Sequence, residues 1–243
     1  MGMMRLDKFL GITGMSSRSE AKKVIRSGGV RINGRVASSA EEKIDPEHDE
    51  IIFCGKTVVY RKYTYILMNK PEGVVSATED GRDKTVLDLL PADMRKTDLF
   101  PCGRLDKNTL GLMLITDNGA LAHRLLAPKT HVEKEYYFRS KFPVSEEDAK
   151  RFECGLVLED GYETKPAKIC LEGQGDCGRI TLIEGKYHQI KRMLEALENK
   201  IIYLERIRFG NLMLDGTLAR GEWRYLTEEE IAVLEQHGQE KIH

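Results

Sequence analysis

The chain has 243 residues, of which 41% are hydrophobic and 32% are charged, and its 38 basic side chains are balanced by 39 acidic ones. A chain of this size buries about 70% of its surface on folding, so it needs neither disulfides nor a metal to form a stable core. Because no apolar stretch reaches the roughly 20 residues of a membrane span, and Arg5, Asp7 and Lys8 interrupt the region where a signal peptide is apolar, we expect a cytosolic protein.

The first 35 residues combine a helical apolar pattern with concentrated positive charge. Leu6, Phe9 and Leu10 recur at helical spacing, and a capping box of Ser17 and Glu20 predicts the start of a second helix. Eight basic and two acidic side chains give residues 1–35 a net charge of +6. This charge indicates either a surface that binds an anionic partner or an ordinary solvated face.

A short hairpin is predicted after the second helix. Gly28 and Gly29 are expected to end that helix, and Val30–Ile32 and Arg35–Ala37 read as strands joined by a type I′ turn at Asn33–Gly34. The segment is therefore predicted to be an ααβ unit with exposed basic side chains. We place its domain at residues 1–60 and a second domain at residues 61–243.

The second domain is predicted to be rich in strands. The strands expected from apolar runs are Tyr65–Met68, Gly111–Thr116, Glu135–Arg139, Gly155–Leu158, Ala167–Leu171, Arg179–Ile183, Ile201–Ile207 and Asn211–Leu214. The expected helices are Ala120–Leu126, Ser145–Phe152, Tyr187–Leu197 and Glu228–Gln236, the last opened by a capping box of Thr227 and Glu230. These elements predict an α+β fold with a large, mainly antiparallel sheet flanked by helices.

The cysteines and histidines do not form a recognisable metal or disulfide pattern. The five cysteines are odd in number and never spaced as C-x-x-C, and the six histidines show no helical i, i+4 pair. We therefore expect reduced cysteines and no metal site.

One segment places charged residues directly before a strand that should be buried. Arg104, Asp106 and Lys107 lie between Gly103 and Gly111, and the apolar run 112–115 follows. A carboxylate on a tight loop at the edge of a core is a candidate for chemistry. The alternative is that Asp106 caps the loop or pairs locally with Arg104.

The segment Gly103–Leu112 resembles the G-R-L-D-x-x-T-x-G-L signature of pseudouridine synthases. Other stretches resemble the same family in the same order: Leu67–Gly73, Thr85–Pro91, Glu133–Tyr136, Lys165–Ala167, Glu184–Met193 and Arg206–Gly210. The residues Arg5–Leu10, Ser17–Ala21 and Gly28–Gly34 resemble the S4 RNA-binding domain. Together the resemblances cover nearly the whole chain.

The resemblance implies an enzyme that isomerises uridine to pseudouridine without a cofactor. It implies that Asp106 is the carboxylate acting at the sugar–base junction, as a nucleophile or first as a base. Lys191 is the cation expected to oppose the rise in pKa that burial causes in a carboxylate. Tyr136 is expected to stack on the target base, Leu204 to pack against it, and Arg104 to fill the space of the flipped nucleotide or contact its phosphate.

His188 and Gln189 also lie in a matched stretch, and we expect them to orient the helix that presents Lys191, without a catalytic role. The resemblance to the S4 domain predicts RNA contacts from exposed basic side chains of the first domain. These side chains are Arg5, Lys8, Arg18, Lys22, Arg26 and Arg31.

Several stretches, with a short polar end after Gln236, resemble the branch of the family that modifies 16S small-subunit ribosomal RNA; they are Glu133–Tyr136, Lys165–Ala167, Glu184–Met193 and Gly221–Arg224. The predicted partner is ribosomal RNA, free or in an assembling particle, and the predicted state is a monomer. The alternatives are an enzyme acting on 23S ribosomal RNA, a noncatalytic S4-domain protein of ribosome assembly, and a hydrolase pairing Asp106 with Asp117.

Overall fold

The structure is a computed structural model that describes residues 3–13, 15–58, 60, 62–92, 94 and 98–236. The chain divides into two compact units, Met1–Lys62 and Tyr63–His243. Arg61, at the predicted domain boundary, and the polar end from His237 to His243 lie outside the described residues.

The first unit is built from two helices and several short strands. In chain order its elements are β1 (Met4–Arg5), α1 (Leu6–Ile12), α2 (Arg18–Arg26), β2 (Val30–Ile32), β3 (Arg35–Val36), β4 (Lys43–Ile44), β5 (Ile51–Phe53) and β6 (Lys56–Val58). Strands β3, β2, β5 and β6 form an antiparallel sheet in that order, and β1 pairs with β4. The apolar sides of both helices, including Leu6, Phe9 and Ile25, pack into one core with this sheet.

Local signals in the sequence explain the first unit well. The capping box of Ser17 and Glu20 opens α2, as predicted. Asn33 and Gly34 have φ angles of 49° and 79°, which are the positive values that a type I′ turn requires. The strands β4, β5 and β6 were not predicted, because each has only two or three residues and their apolar periodicity is too short to detect.

The second unit contains a large sheet with helices packed against it. Its elements are β7 (Tyr65–Lys70), β8 (Phe100–Pro101), β9 (Leu110–Thr116), α3 (Gly119–Leu126), β10 (Lys134–Ser140), α4 (Glu146–Cys154), β11 (Lys168–Glu172), β12 (Cys177–Leu182), α5 (Gln189–Glu195), β13 (Ile201–Phe209), β14 (Leu212–Met213), β15 (Trp223–Tyr225) and α6 (Glu228–Gln236). Short 3-10 helices occur at Leu87–Leu89 and Pro128–Thr130. Within the described ranges, no helix is both long and apolar enough to cross a membrane.

The main path through the sheet has the strand order β11-β12-β10-β13-β9-β7-β15, and β14 and β8 pair with β13 and β9. The pairing of β13 with β9 is parallel, and the other pairings are antiparallel. The α+β fold with a mixed, mainly antiparallel sheet is therefore confirmed.

Both faces of the sheet are covered, which explains the continuous apolar runs of the central strands. On β7, Ile66 and Met68 face a core that also contains α4 and α5 side chains, such as Phe152 and Met193. Alternate residues of the same strand face a second core, which α3 and α6 complete. The candidate site is built at the edge of the first core.

Two predicted elements of this unit are wrong in extent or kind. Residues Gly155–Leu158 do not form a strand; they contain one isolated bridge from Val157 to Glu163, because α4 continues to Cys154 and the chain then turns at Gly155 with φ 95°. The helix predicted over Tyr187–Leu197 begins at Gln189, because His188 is left-handed with φ 49°, and it ends at Glu195.

Candidate active site

The loop that carries Asp106 enters the sheet beside β13. Gly111, near the start of β9, has φ 96°, and a Cβ atom there would collide with the carbonyl oxygen of Arg206 on β13. Gly111 and Arg206 are register partners, and Arg206 also pairs with Tyr136 on β10. The strand pairing thus brings the Asp106 loop close to Tyr136. Leu204 is placed nearby because it lies on β13 two residues before Arg206.

A buried lysine, Lys70, donates hydrogen bonds to the backbone of the Asp106 loop. The Lys70 side chain is fully buried, and its Nζ donates hydrogen bonds to the carbonyl oxygens of Thr109 at 2.8 Å, Pro71 at 3.1 Å and Lys107 at 3.3 Å. Burial lowers the pKa of Lys70 to about 8, and the negative charge of Asp106 opposes that shift. The ammonium therefore holds two carbonyl groups of the loop, those of Lys107 and Thr109.

A buried serine, Ser76, also binds the backbone of this loop. The Ser76 hydroxyl donates to the carbonyl oxygen of Leu105 at 2.9 Å and accepts from the amide of Leu105 at 3.0 Å. The amide of Thr109 donates to the carbonyl oxygen of Asp106 at 3.0 Å, which closes a tight turn. Asp106 therefore stands on a loop whose backbone is held at several points.

The Asp106 carboxylate contacts two side chains from the region around α5. Lys191 Nζ donates to Asp106 Oδ2 at 2.6 Å, and His188 Nε2 lies 3.5 Å from Asp106 Oδ1. Lys191 also donates to Asn108 Oδ1 at 2.7 Å. The Asp106 side chain keeps 27% of its surface exposed, so the carboxylate is both paired with a cation and open to a ligand. Lys191 pairs with Asp106, as predicted. Among the described residues, Asp106 forms its ion pairs with Lys191 and His188 and none with Arg104.

The turn before α5 is held by buried polar contacts. Gln189 Nε2 donates to Glu184 Oε1 at 2.6 Å, and the amide of Lys186 donates to Gln189 Oε1 at 2.9 Å. These bonds hold Gln189 at the start of the helix that carries Lys191. His188, which was expected to orient that helix, also places its Nε2 atom 3.5 Å from Asp106 Oδ1.

The five predicted active-site residues line one pocket. They are Arg104, Asp106, Tyr136, Lys191 and Leu204. The other lining residues are Leu105, Thr109, Leu182, Gly185, Lys186, His188, Gln189 and Ile190. Arg104 is exposed, whereas Tyr136 and Leu204 are buried. The guanidinium of Arg104 thus lies at the solvent-exposed mouth of the pocket, and Tyr136 and Leu204 form apolar surface in its interior.

Tyr136 and its neighbour Tyr137 point in different directions, as expected for a strand. Tyr136 lines the pocket, whereas the ring of Tyr137 packs edge-on against Tyr203 with centroids 6.0 Å apart. Thr109, which also lines the pocket, has a buried hydroxyl without a hydrogen-bond partner among the described residues. Thr109 was not predicted as a site residue, although its position in the matched motif was a signal for it.

The rival carboxylate pair is not assembled. Asp117 follows the far end of β9, the strand that separates it from Asp106, and its Oδ1 accepts a hydrogen bond from the amide of Thr64 at 2.7 Å. Across the part of the chain that the structure describes, no group of three or more His, Cys, Asp or Glu side chains is placed to hold a metal ion.

A separate basic pocket lies on the first unit. It is lined by Arg5, Asp7, Lys8, Arg18, Ser19 and Lys22. All six predicted RNA-contacting side chains, including Arg26 and Arg31, are exposed. Arg5 pairs with Asp7 at 2.8 Å and Glu41 at 3.0 Å, and its hydrogen bond keeps the pKa of the Asp7 carboxyl below its usual value. Arg31 donates to the carbonyl oxygen of Gly34.

Comparisons with known proteins agree with these two units. Residues 4–51 match the S4 domain, and residues 64–196 match the model of the RNA pseudouridylate synthase family. Together with the mixed sheet and its carboxylate pocket, these matches define an RNA-modifying protein with a separate S4 domain. The chain belongs to the RNA pseudouridylate synthase family.

Relatives are similar along almost the entire chain. An uncharacterized RNA pseudouridine synthase of Bacillus subtilis is 47% identical, over 96% of this chain and 99% of the relative. The ribosomal small subunit pseudouridine synthase A of Vibrio cholerae is 42% identical, over 94% and 98%. A crystal structure of a pseudouridylate synthase is 37% identical, covers 95% of this chain and 99% of its own, and has a TM-score of 0.67. These relatives agree with the family assignment over almost the whole chain.

Proposed function

We propose that this chain isomerises one uridine of 16S small-subunit ribosomal RNA to pseudouridine, in the cytoplasm and as a monomer, with a target of the position-516 class. The observation that carries the proposal is the pocket in which Asp106 pairs with Lys191 beside Tyr136 and Leu204. The similarity to relatives named for the small ribosomal subunit supports the choice of substrate.

The reaction breaks the bond from N1 of uracil to C1′ of ribose and joins C5 to C1′. C5 loses its hydrogen and N1 gains one, so atoms balance without a cofactor. Asp106 is the carboxylate at the sugar–base junction, and the ammonium of Lys191 pairs with it at 2.6 Å. The half-buried position lets the carboxylate act on a ligand while the cation stays paired with it.

The target uridine must leave its stack to reach a pocket inside the protein. Tyr136 offers the aromatic surface that replaces the lost stacking, and Leu204 packs against the base from β13. Arg104 stands exposed at the pocket, where its guanidinium fills the vacated space or contacts the phosphate.

The two domains divide the work. Residues 1–60 bind RNA through the exposed basic side chains of α1, α2 and the following hairpin, and residues 61–243 perform the isomerisation. The basic pocket around Lys8, Arg18 and Lys22 supports this assignment, because cationic surfaces bind RNA phosphates and release counterions.

The experiment is to delete the gene and map pseudouridines in all cellular RNAs, then to restore the wild-type gene or Asp106→Asn. Loss of one pseudouridine in 16S RNA, restored by wild type alone, supports the proposal. Loss in 23S RNA identifies a large-subunit enzyme instead. If no ribosomal pseudouridine is lost, or Asp106→Asn restores it, the proposed reaction is wrong and a noncatalytic role in ribosome assembly becomes the better account.

A further inference from the structure

An exposed aromatic side chain lies beside the active-site pocket and has no role in the chemistry above. The Tyr187 side chain is 71% exposed, and its neighbours in the chain, Lys186 and His188, both line the pocket. Single exposed apolar groups are common on protein surfaces. Tyr187 differs because of what its ring contacts.

The Tyr187 ring is stacked on the His188 ring. Their centroids are 3.8 Å apart, and their planes differ by 18°. His188 has φ 49°, a left-handed conformation that a residue with a side chain rarely adopts and that is often found at functional sites. The other edge of the stack reaches the active site, where His188 Nε2 lies 3.5 Å from Asp106 Oδ1. The stack thus joins a ring that reaches the active site, His188, to a ring that is largely exposed, Tyr187.

Such a surface fits a nucleobase. Every base has an aromatic face, and stacking on protein rings is the usual way in which unpaired bases are bound. Cations for the adjoining phosphates are available in the same pocket, because Lys186 and Arg104 line it and both are exposed. A peptide could also pack against the Tyr187 ring, but it would have no phosphates for Lys186 and Arg104 to bind. The cations therefore favour RNA over a peptide as the ligand.

We propose that the Tyr187–His188 stack binds the base of an RNA nucleotide adjacent to the target uridine. When the uridine turns into the pocket, its neighbour in the strand loses a stacking partner, and the exposed ring beside the pocket replaces it. The inference rests on the proposed function for the choice of RNA as ligand. It assigns Tyr187 to substrate binding and leaves the bond-breaking step to Asp106.

The first experiment measures binding and needs no activity. Full-length protein is titrated with a single-stranded oligouridine RNA that carries one fluorescent 2-aminopurine next to a central uridine. Tyr187→Leu is expected to weaken binding about 5- to 150-fold, the range for loss of one stacked base, and Tyr187→Phe to restore most of it. Phe142→Leu is the matched control, because Phe142 is 52% exposed on the same unit but does not line the pocket.

An RNA with an abasic nucleotide in place of 2-aminopurine completes the test as a double-mutant cycle. If Tyr187 stacks on that base, Tyr187→Leu causes no further loss with the abasic RNA. Equal affinities of wild type and Tyr187→Leu for the 2-aminopurine RNA, or an equal loss with both RNAs, would overturn the inference.

A second experiment measures turnover of ribosomal RNA labelled with tritium at C5 of uridine, which is released when C5 becomes the glycosidic carbon. Tyr187→Leu is expected to raise KM by the same factor and to change the rate at saturation little. If the wild-type protein releases no tritium, the proposed function is contradicted. The role of Tyr187 is then still tested by the double-mutant cycle of RNA binding. A defect seen only with protein-containing ribosomal particles, and not with naked RNA, would mean that Tyr187 contacts a protein and would overturn the inference.

Discussion

The ammonium of Lys191 lies 2.6 Å from Asp106 Oδ2 and 2.7 Å from Asn108 Oδ1, so one side chain of α5 holds two residues of a loop more than 80 positions earlier in the chain. The contact joins the cation to the carboxylate and also fixes the loop against the helix. The pairing of the carboxylate and the position of the loop therefore depend on the same side chain.

Asp106→Asn is expected to lower the rate of isomerisation by at least about 100-fold, because the amide keeps the shape of the carboxylate but removes its charge. RNA affinity should change little. Tritium release and filter binding measure the two quantities, and Asp117→Asn is the control, since Asp117 follows the opposite end of β9. Substantial turnover by Asp106→Asn would refute the role of this carboxylate.

Lys191→Met is expected to lower kcat at least about 10-fold and to change RNA affinity less. The Asp106 carboxylate loses the ammonium that pairs with it, and the loop loses its bond from Lys191 to Asn108. Tritium release and filter binding measure the two quantities, and Lys107→Met is the control, because Lys107 lies on the same loop but pairs with Asp83 at 2.6 Å. A kcat equal to that of the wild type would remove Lys191 from the chemical step.

Lys70→Met is expected to lower kcat about 10- to 100-fold with a smaller change in KM. The apolar side chain fills a similar volume but cannot donate to the carbonyl oxygens of Thr109, Pro71 and Lys107, so the Asp106 loop loses its anchor. Circular dichroism and kinetics on the same preparation separate misfolding from mispositioning. A folded variant with full kcat would show that these bonds do not position Asp106.

The stability of the wild type should rise with pH between about 8 and 10.5 by roughly 1–3 kcal/mol more than that of Lys70→Met. Burial lowers the pKa of Lys70 to about 8 from the ordinary 10.5, so in this range the unfolded chain binds more protons than the folded one. Raising the pH therefore favours the folded state. The free energy of unfolding of both proteins is measured with urea across this pH range. If it changes with pH in parallel for the two proteins, the lowered pKa of Lys70 is contradicted.

Replacing Lys8, Arg18 and Lys22 by Gln is expected to weaken RNA binding and to flatten its salt dependence. Each lost phosphate contact should reduce the slope of log affinity against log salt by about 0.7–0.9. The double variant Lys43→Gln/Lys56→Gln is the control, because both lysines are exposed in the same unit but do not line the basic pocket. An unchanged slope would mean that the basic pocket is only solvated.

Local signals predicted those elements whose structure depends on nearby residues. The capping boxes at Ser17 and Thr227 open α2 and α6, and Asn33–Gly34 forms the expected turn, because each of these features is made by residues three positions apart or fewer. The local exception is Gly155–Leu158, where an apolar run suggested a strand that lacks a continuous pairing partner.

The sequence determined which side chains are available for the candidate site: the motif around Asp106 and the matched stretches containing Tyr136 and Lys191 supply residues that line one pocket. Only the tertiary structure decided their distances, because the pairing of β13 with β9 and β10 joins residues that are about 70–100 positions apart. It also revealed the burial of Lys70 and the approach of His188 to Asp106. Burial and ion pairing depend on contacts between distant segments, so no local pattern in the chain encodes them.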